Sequence, residues 1–455
     1  MKKLLILIVI VGLCFGGYFL FFKDDSDKIK ILDVEEEKVN ISEYYTYGTY
    51  MNMTGSVKLS KNNFKSIKLT LYNGEFRDYD INYTEDVNTI NFNMSDLLND
   101  GIYLEDINRG TYYMFIKVTY KNVEKEDEDI VKYYVLDNKT DYKETIYYTL
   151  SNVDNKIVIN SNNDYKTMMF DVVENTNDNI YDIVIDPGHG GMDGGAESRD
   201  KKYSETDFTL DYAKDLKDRL EKLGMKVKLT WDENSLSKND LLEEYGEHGR
   251  AVISSEVKAK YLFSIHFNSN TSSRVSGLET YTPVNINYDF IKDAVKNITE
   301  STGLKVSTGK KFKMFDGVYS KNFDEDDIEN NYKGYDDKGL NRYEISTKSN
   351  YYYMIRETGG IVTGAYVDDR NEKIIANPYY NSNTGCESYI FELGYITNDN
   401  DLEIIKNNMS DFTHSIEKSV KLQIFEKSQK INNWGCFFSD FLFLISVFLT
   451  LLEVC

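Results

Sequence analysis

The hydrophobic pattern of this chain changes its period near residue 177, and this change constrains the fold more than any other sequence feature. Before it, apolar residues recur at every second position, as at Tyr112, Met114 and Ile116. A period of two predicts β-strands with one buried face. After it, short apolar runs alternate with a helical pattern. Because 455 residues also exceed the usual size of one hydrophobic core, the chain should contain two domains.

The first segment, residues 31–176, predicts an all-β, sandwich-like domain. Its short apolar runs are separated by Asn, Asp and Gly, including an Asn73-Gly74 turn, and the acidic run Glu124 to Asp129 is typical of an exposed hairpin tip. The segment contains no histidine and no catalytic spacing. We interpret it as a spacer or a binding module.

The second segment, residues 177–427, predicts an α/β domain. A short apolar strand at 182–186 is followed by apolar residues at helical spacing from Phe208 to Leu223, and then by a strand from Met225 to Leu229. Further compact apolar runs, Tyr261–His266 and Tyr389–Leu393, are typical of strands covered on both faces. We therefore expect an open, mixed or parallel sheet with helices on both faces.

The N-terminus predicts a membrane anchor. Leu4 to Phe22 are 19 consecutive uncharged and almost wholly apolar residues, preceded by Lys2 and Lys3. A helix of this length nearly crosses the hydrocarbon layer, and basic flanks stay cytoplasmic. We expect an anchor at 1–23, a linker at 24–30 and a body outside the cell membrane. The competing interpretation is a cleaved signal peptide, which gives a secreted protein.

The net charge and the cysteine content argue against a nucleic-acid-binding protein and against a fold held by disulfides. The formal charge of −22 repels nucleic acid, whose binding needs clustered Lys and Arg, and four scattered cysteines give no disulfide framework.

The tail at 428–455 contains a 12-residue apolar stretch, Phe441 to Leu452, which is short for a membrane span. We attach no function to this tail.

Four residues in separate local motifs carry the chemistry. They are His189 in IDPGHGG, Glu205 in KYSETDF, His266 in FSIHFN and Glu392 in YIFELGYITN. Two histidines and one carboxylate are a ligand set of zinc centres that keep a position open for water, and a further glutamate beside them can move protons. The chain has only four histidines. Two of them in such motifs therefore predict a zinc hydrolase.

The predicted sheet explains how these distant residues could converge. His189 follows one strand, while His266 and Glu392 lie near the carboxyl ends of two others, at the edge where open α/β sheets bind ligands. Glu205 would arrive from the first turn of the following helix. Taken singly, each residue also has a structural interpretation. A histidine can hydrogen-bond a backbone carbonyl, and a carboxylate in the first turn of a helix is favoured by the helix dipole.

These motifs resemble the zinc-dependent N-acetylmuramoyl-L-alanine amidases of the family often called amidase 3. The resemblance covers roughly residues 181–427 and rests on IDPGHGGMDGGA at 185–196, Glu205 opening a helix, SIHFNS at 264–269, GLETY at 277–281 and FELGYITN at 391–398. It implies Zn²⁺ held by three residues and a catalytic carboxylate in a fourth. The ligands are His189, Glu205 and His266, and the catalytic residue is Glu392. It also implies the substrate, the peptidoglycan amide between N-acetylmuramic acid and L-alanine.

Two alternatives remain beside this membrane-anchored, wall-remodelling amidase. One is a catalytically silent wall-binding scaffold, and the other is a zinc hydrolase that cuts a different peptidoglycan amide. His248 and His414 lack motif context and are predicted to be surface or core residues. Asn268 is expected either to orient substrate or a metal ligand, or to have a structural role.

The chain departs from the simple forms of the family between His266 and Glu392. Excess residues lie near Phe323 to Asp337 and Gly359 to Glu387, which we expect to be long ordered loops. Such loops at active sites often form lids or binding walls. We hypothesise that one of them shapes the glycan groove or restrains activity until a protein activator moves it.

Overall fold

The computed structural model describes most of the chain between residues 34 and 425. The described residues are 34–47, 50–60, 62–94, 101–104, 107–125, 128–137, 145–150, 153–160, 166–174, 180–235, 249–284, 286–308, 312–337, 345–365 and 386–425. The predicted anchor at 1–23, linker at 24–30 and tail at 428–455 lie outside them. Within these ranges, no helix is both long and apolar enough to cross a membrane.

The N-terminal segment is built from β-strands, as its alternating pattern predicts. The strands are β1 Val34–Tyr47, β2 Tyr50–Lys58, β3 Phe64–Tyr72, β4 Phe76–Asp80, β5 Asn82–Asp86, β6 Thr89–Met94, β7 Ile102–Tyr103, β8 Gly110–Lys121, β9 Asp129–Asp137, β10 Thr145–Leu150, β11 Val153–Asn160 and β12 Met169–Glu174. Tyr112, Met114 and Ile116 of β8 are buried in one core cluster. The period of two therefore marks the buried face of this strand.

Hydrogen bonds join these strands into one network. Its main path runs β10-β11-β12-β8-β9-β1-β2-β6-β5, with β3 joined to β8 and β4, and β7 joined to β2. The predicted Asn73-Gly74 turn links the antiparallel strands β3 and β4, and Gly74 takes the φ of 102° that favours glycine. Strands β8 and β9, which flank the acidic run, are antiparallel neighbours, as predicted for a hairpin. A two-layer sandwich stays a prediction.

A second, mixed sheet follows from residue 183, and it confirms the predicted α/β organisation. Its strands are β13 Ile183–Pro187, β14 Val227–Leu229, β15 Tyr261–Asn268, β16 Glu279–Tyr281, β17 Lys313–Phe315, β18 Val318–Tyr319 and β19 Glu387–Tyr395. Their spatial order is β14-β13-β15-β19-β16-β18-β17. The first four strands run parallel, and β16 is antiparallel to β19.

Helices connect the strands of this sheet. They are α1 Thr206–Lys222, α2 Ile253–Glu256, α3 Asp289–Thr302, α4 Glu325–Asp337, α5 Tyr353–Thr358, α6 Asp399–Asn407 and α7 Met409–Val420, with 3-10 turns at Arg250–Val252 and Gly360–Thr363 and a π turn at Lys421–Phe425. The helical spacing from Phe208 to Leu223 corresponds to α1, and Leu223 is its C-cap residue. Gly224 follows with a φ of 92°, which terminates the helix.

Helices cover both faces of the sheet. On one face, Phe263 of β15 packs in a large cluster with residues of α1, α3 and α7, including Tyr212 and Phe412. On the other face, Leu262 packs with Met354 of α5. Because successive side chains of a strand point to opposite faces, His266 belongs to the face of Leu262.

The first insertion differs from the prediction. The segment from Phe323 to Asp337 is not a loop, because residues 325–337 form α4, with Glu325, Asp326 and Asp327 in its first turn. Acidic residues near a helix N-terminus are stabilised by the helix dipole. Of the second insertion, only residues 359–365 and 386–387 are described, and they include the short turn at Gly360–Thr363.

Candidate metal centre

The loop after β13 holds His189 in an unusual backbone conformation. His189 has a φ of 62°, in the left-handed region that few non-glycine residues adopt. Reciprocal backbone hydrogen bonds between Gly190 and Asp193, at 2.9 and 3.1 Å, close the turn behind it. Gly188 gives His266 room, because a Cβ at this position would lie 2.3 Å from the imidazole Cε1. The Gly-rich motif thus brings the two histidines together, with ring centroids 4.9 Å apart.

Glu205 lies between the two histidines at the N-cap of α1. Its side chain is only 3% exposed. One carboxylate oxygen, Oε1, lies 2.9 Å from Nδ1 of His266 and accepts the backbone N–H of Phe267 at 2.8 Å. The other, Oε2, lies 3.1 Å from Nε2 of His189 and accepts the backbone N–H of Ala196 at 3.1 Å. These backbone contacts orient the carboxylate toward both imidazoles.

The three side chains fit a divalent metal ion. His189, Glu205 and His266 each offer a ligand atom, and these atoms lie within 4.8 Å of one another. Two imidazoles and a carboxylate match the donor set of catalytic zinc sites, which leave a fourth position open. Gly195 permits this crowding, since a Cβ there would lie 2.7 Å from Cδ2 of His189. The structure therefore brings together the three residues predicted as ligands.

Asp193 is a residue of this cluster that the sequence reasoning missed. Its Oδ2 lies 2.8 Å from Nδ1 of His189, and its Oδ1 accepts the backbone N–H of Gly195 at 3.0 Å. A carboxylate at one imidazole nitrogen fixes the ring and leaves the other nitrogen to face a metal. The signal was present in the motif, because Asp193 follows His189 by four positions in DPGHGGMD.

The charges of this cluster shift its pKa values strongly. Burial opposes protonation of His189, but its contacts with Glu205 and Asp193 prevail and raise the pKa of His189 to about 9. Burial likewise opposes charge on Glu205, yet the two histidines hold the pKa of Glu205 well below its usual range. The pKa of His266 is raised as well, because Glu205 and Glu392 outweigh its burial. In the metal-free protein, the cluster is thus a network of charge-assisted hydrogen bonds.

Glu392 lies beside this cluster rather than in it. It is half-buried in β19 and is the Cα partner of His266 in the neighbouring strand β15. Its negative charge contributes to the raised pKa of His266. A carboxylate next to such a ligand set is a candidate general base. The structure therefore brings Glu392 to the sheet edge with the other three residues, and its role stays a prediction.

Asn268 and His414 also have defined surroundings. Asn268 lies at the end of β15 and donates from Nδ2 to Oε2 of Glu279 at 2.8 Å. His414 is an exposed residue of α7 whose Nδ1 lies 2.9 Å from Oε2 of Glu417, as expected for a surface histidine. His248 lies outside the described residues.

A buried ion pair anchors the strand that leads into the loop. Asp186 is fully buried at the end of β13, and Nη1 of Arg250 donates to its Oδ1 at 3.0 Å. Ser264 and Thr230 donate to the same carboxylate, each at 2.7 Å. Arg250 also donates to the carbonyl of Pro187 at 3.0 Å. Asp186 lies three positions before His189, and Ser264 lies two positions before His266, so this network stabilises the strand ends that lead to both histidines.

Comparison with known proteins gives a family match. Residues 183–424, more than half of the chain, match the family model Amidase_3, described as N-acetylmuramoyl-L-alanine amidase. A 100-residue segment is 36% identical to the probable cell wall amidase LytH of Staphylococcus aureus, and this match covers 22% of the chain and 30% of LytH. The chain therefore spans less than a third of the length of this curated relative.

Solved structures of amidases align with part of this chain. The N-acetylmuramoyl-L-alanine amidase AmiC2 of Nostoc punctiforme is 22% identical, with coverage of 52% of this chain and 93% of AmiC2 and a TM-score of 0.33. The CwlD amidase from Clostridioides difficile, solved in complex with the GerS lipoprotein, is 18% identical, with coverage of 55% and 99% and a TM-score of 0.32. The family match itself includes all four residues of the site, His189, Glu205, His266 and Glu392.

Proposed function

The chain belongs to the Amidase_3 family of N-acetylmuramoyl-L-alanine amidases, and from this premise we propose that it is a zinc-dependent enzyme of cell-wall remodelling. Its substrate is peptidoglycan. The bond that it hydrolyses is the amide between the lactyl group of N-acetylmuramic acid and the L-alanine of the stem peptide.

One observation carries this proposal. Ligand atoms of His189, Glu205 and His266 converge within 4.8 Å, and Glu392 is the Cα partner of His266 on the adjacent strand. Three ligands with an adjacent carboxylate are the parts that metal-assisted amide hydrolysis needs. A purely structural zinc site usually has four protein ligands. The set of three ligands found among the described residues therefore supports a catalytic role.

The residues of the site have different roles in the proposed reaction. His189, Glu205 and His266 hold the metal, and Asp193 orients the imidazole of His189. Zinc, when bound, supplies a Lewis acid that polarises the scissile carbonyl and makes water more acidic. Glu392 accepts a proton from the attacking water and returns one to the leaving nitrogen.

The reaction balances without an organic cofactor. The water oxygen forms a bond to the carbonyl carbon while Glu392 takes one of its protons. The C–N bond then breaks, and the amine of L-alanine leaves with the proton that Glu392 returns. The products are the lactyl carboxylic acid of the sugar, which keeps the second hydrogen of the water until it ionises to solvent, and a stem peptide with a new amino terminus. Glu392 is regenerated.

The site of action follows from the N-terminal sequence. We propose that residues 1–23 anchor the protein in the cell membrane and that the catalytic domain faces the wall, with the β domain as a spacer or wall-binding module. The support is the uncharged run Leu4 to Phe22 behind Lys2 and Lys3. Release of the full-length protein from membranes by high salt, without detergent, would contradict the anchor and favour a secreted form.

The experiment that tests the activity uses purified peptidoglycan. The full-length protein is incubated with it, with and without a zinc chelator, and the products are identified by mass spectrometry. We expect stem peptides that begin with a free L-alanine amine, and we expect the chelator to abolish them. Metal analysis of the same preparation should give one zinc per chain.

Two other outcomes would replace the proposal. Zinc binding with no cleavage of any wall preparation would identify a catalytically silent, wall-binding scaffold. Zinc-dependent products with a different new terminus would identify a hydrolase of another peptidoglycan amide.

The first insertion is proposed to form a binding wall or a regulatory element. Lys321 precedes α4 and forms an ion pair with Asp327 in its first turn, and its ammonium lies 4.3 Å from the centroid of the exposed Tyr351 ring. Lys321 thus links helix α4 to the exposed side chain of Tyr351. Replacement of residues 325–337 by a short Gly-Ser link should change the cleavage rate or the substrate range. An unchanged rate and range would contradict this role.

A further inference from the structure

A second buried carboxylate stands next to Glu392, and nothing in the proposed reaction uses it. Glu279 of β16 is the Cα partner of Glu392 in the antiparallel pair β16–β19, while Glu392 is the partner of His266 in the parallel pair β15–β19. Residues directly opposite each other on neighbouring strands share a face of the sheet. His266, Glu392 and Glu279 thus form a row across three adjacent strands.

Glu279 is fully buried, with 0% of its surface exposed. It accepts three side-chain hydrogen bonds, from Nδ2 of Asn268 at 2.8 Å, from the Tyr281 hydroxyl at 2.6 Å and from the Tyr395 hydroxyl at 2.6 Å. The orientation of the Asn268 amide is fixed, because its Oδ1 accepts the backbone N–H of Ser269 at 2.8 Å. A carboxylate buried this deeply is tolerated only when donors of this kind satisfy it.

A β-bulge brings one of these donors into place. His266 is the partner of Glu392, but Asn268 is the partner of Tyr395, so β19 advances by three residues where β15 advances by two. The extra residue lies at Leu393–Gly394, and Gly394 has a φ of 108°. Bulges of this kind next to active sites redirect a side chain. Here the bulge turns Tyr395 onto the face of Glu392, where its hydroxyl reaches Glu279.

Two of the donors lie where their strands end at one edge of the sheet. Asn268 is the last residue of β15 and Tyr395 is the last of the parallel strand β19, whereas Tyr281 of the antiparallel strand β16 lies opposite Ile390, farther from this edge. Their common acceptor, Glu279, therefore ties the strand of the metal ligand His266 to the strand of the general base.

A carboxylate is an unfavourable choice for a purely structural tie at this place. Like charges directly opposite each other on a sheet are destabilising, and Glu279 stands directly opposite Glu392. A neutral side chain at 279 would avoid this repulsion.

We propose that Glu279 is a positioning residue, which sets the place of Glu392 relative to His266 by holding the ends of β15 and β19 to β16. This inference rests on the proposed function of Glu392 as general base. Because none of the surface of Glu279 is exposed, we expect it to act through the strand ends and not by contact with substrate. Its removal should therefore slow the chemical step while it leaves metal binding and substrate binding intact.

The test compares Glu279→Gln with wild-type protein, both full-length and zinc-loaded. The amide keeps the volume of Glu279 but cannot accept from all three donors. We expect kcat to fall about 10–100-fold, the loss typical of a catalytic group displaced by about 1 Å. KM should stay within about twofold, and zinc affinity, measured by competition with a chelator, should stay unchanged because no ligand is altered.

A matched control separates positioning from general loss of a buried charge. Glu387 is also buried in β19, at the opposite end of the strand, where it accepts a hydrogen bond from the Tyr389 hydroxyl. Glu387→Gln should lower the melting temperature but leave kcat of the folded protein unchanged. Tyr395→Phe keeps the ring and removes one donor, so it gives a milder kcat loss even if Glu279→Gln fails to fold.

The double variant Glu279→Gln/Glu392→Gln gives the sharpest result. If Glu279 acts through Glu392, the double variant is no slower than Glu392→Gln alone, whereas independent roles give multiplied losses. Hydrogen exchange at the ends of β15 and β19 provides a readout without substrate, and it should accelerate in Glu279→Gln but not in Glu387→Gln.

The outcomes are distinguishable. An active wild-type protein with an equally active Glu279→Gln variant would overturn this inference alone. A zinc-loaded wild-type protein that cleaves no peptidoglycan would overturn the proposed function, and the inference with it.

Discussion

His266 and Glu392 are direct Cα partners across the parallel strands β15 and β19. Neighbouring strands lie about 4.8 Å apart, so the backbone hydrogen bonds of the sheet fix the distance between the backbones of the proposed metal ligand and the adjacent carboxylate. Glu392 nevertheless stands outside the ligand cluster that the described residues form, which contains only His189, Glu205 and His266. Metal binding and proton transfer should therefore be separable by mutation.

The first prediction concerns Glu392. Glu392→Gln should lower kcat by about 10²–10⁴-fold, the usual contribution of general acid–base catalysis, because the amide cannot take up a proton. Zinc should remain at one per chain. His266→Ala should lose both zinc and turnover. Peptidoglycan cleavage and metal analysis of the same preparations measure the two effects.

The matched control is Glu403→Gln on α6, an exposed carboxylate that pairs with Lys406. This variant should behave as wild-type protein, since exposed ion pairs contribute little to stability. Wild-type turnover from Glu392→Gln would show that the general base is another residue.

The second prediction concerns Asp193, which holds Nδ1 of His189. Asp193→Ala should weaken zinc binding about 10–100-fold, because the imidazole loses the partner that fixes its orientation. Competition with a chelator of known affinity measures this change. Asp200→Ala is the control in the same loop, since Asp200 bonds Ser198 and Lys202 and contacts no ligand. Equal affinities of the two variants would exclude the proposed role of Asp193.

Sequence reasoning predicted much of the site because its motifs are local and chemically specific. Short apolar runs predicted the strand before His189 and the two buried strands that carry His266 and Glu392. Apolar residues at helical spacing predicted the helix after Glu205. The carboxyl ends of parallel strands then meet at one edge by topology. The convergence of all four residues therefore followed from the pattern.

The remaining features depend on geometry that no local pattern encodes. The left-handed backbone of His189 and the bulge before Tyr395 arise from contacts between distant segments. The GLETY motif is present in the sequence, but the sequence does not predict that Glu279 is buried, because its burial depends on neighbouring strands of the sheet. The sequence does not predict helix α4, because EDDIENNYKGYDD has few apolar residues from which to read a period.

The third prediction concerns pH. In the metal-free protein, the pKa of His189 is raised to about 9, compared with about 6.5 for an unfolded chain. Its protonated form therefore stabilises the metal-free protein fully below about pH 6.5, and this contribution is lost as the pH rises through 9. Zinc binding instead requires neutral imidazoles, so zinc should bind more tightly as the pH rises.

The measurement is the melting temperature with and without zinc between pH 6.5 and 9. The stabilisation by zinc should grow across this window, and His189→Ala should remove most of the pH dependence. A stabilisation that shrinks toward pH 9 would contradict the charge assignment of the cluster.

The fourth prediction concerns Gly188, whose missing side chain makes room for His266. In Gly188→Ala, the new Cβ would lie 2.3 Å from Cε1 and 2.5 Å from Nδ1 of the imidazole, so the ring or the loop must move. Overpacking of this kind costs about 1–3 kcal/mol. Zinc affinity and turnover should both fall. Gly334→Ala in α4 is the control, because a Cβ there has no neighbour within 4 Å. Wild-type zinc affinity in Gly188→Ala would show that the loop adapts without disturbing His266.

The last prediction concerns the buried ion pair of Asp186 and Arg250. Arg250→Met removes the cation but keeps an apolar stem, so the fully buried carboxylate of Asp186 loses its charge partner and keeps only the hydroxyls of Ser264 and Thr230. Removal of one partner from a buried pair usually costs about 3–5 kcal/mol. Urea unfolding of the full-length protein should show this loss. The double variant Asp186→Asn/Arg250→Met should recover part of it, because no uncompensated charge stays buried. Zinc affinity should fall in both variants, since β13 and β15 position His189 and His266. A single variant as stable as wild-type protein would show that this network does not hold the two strand ends.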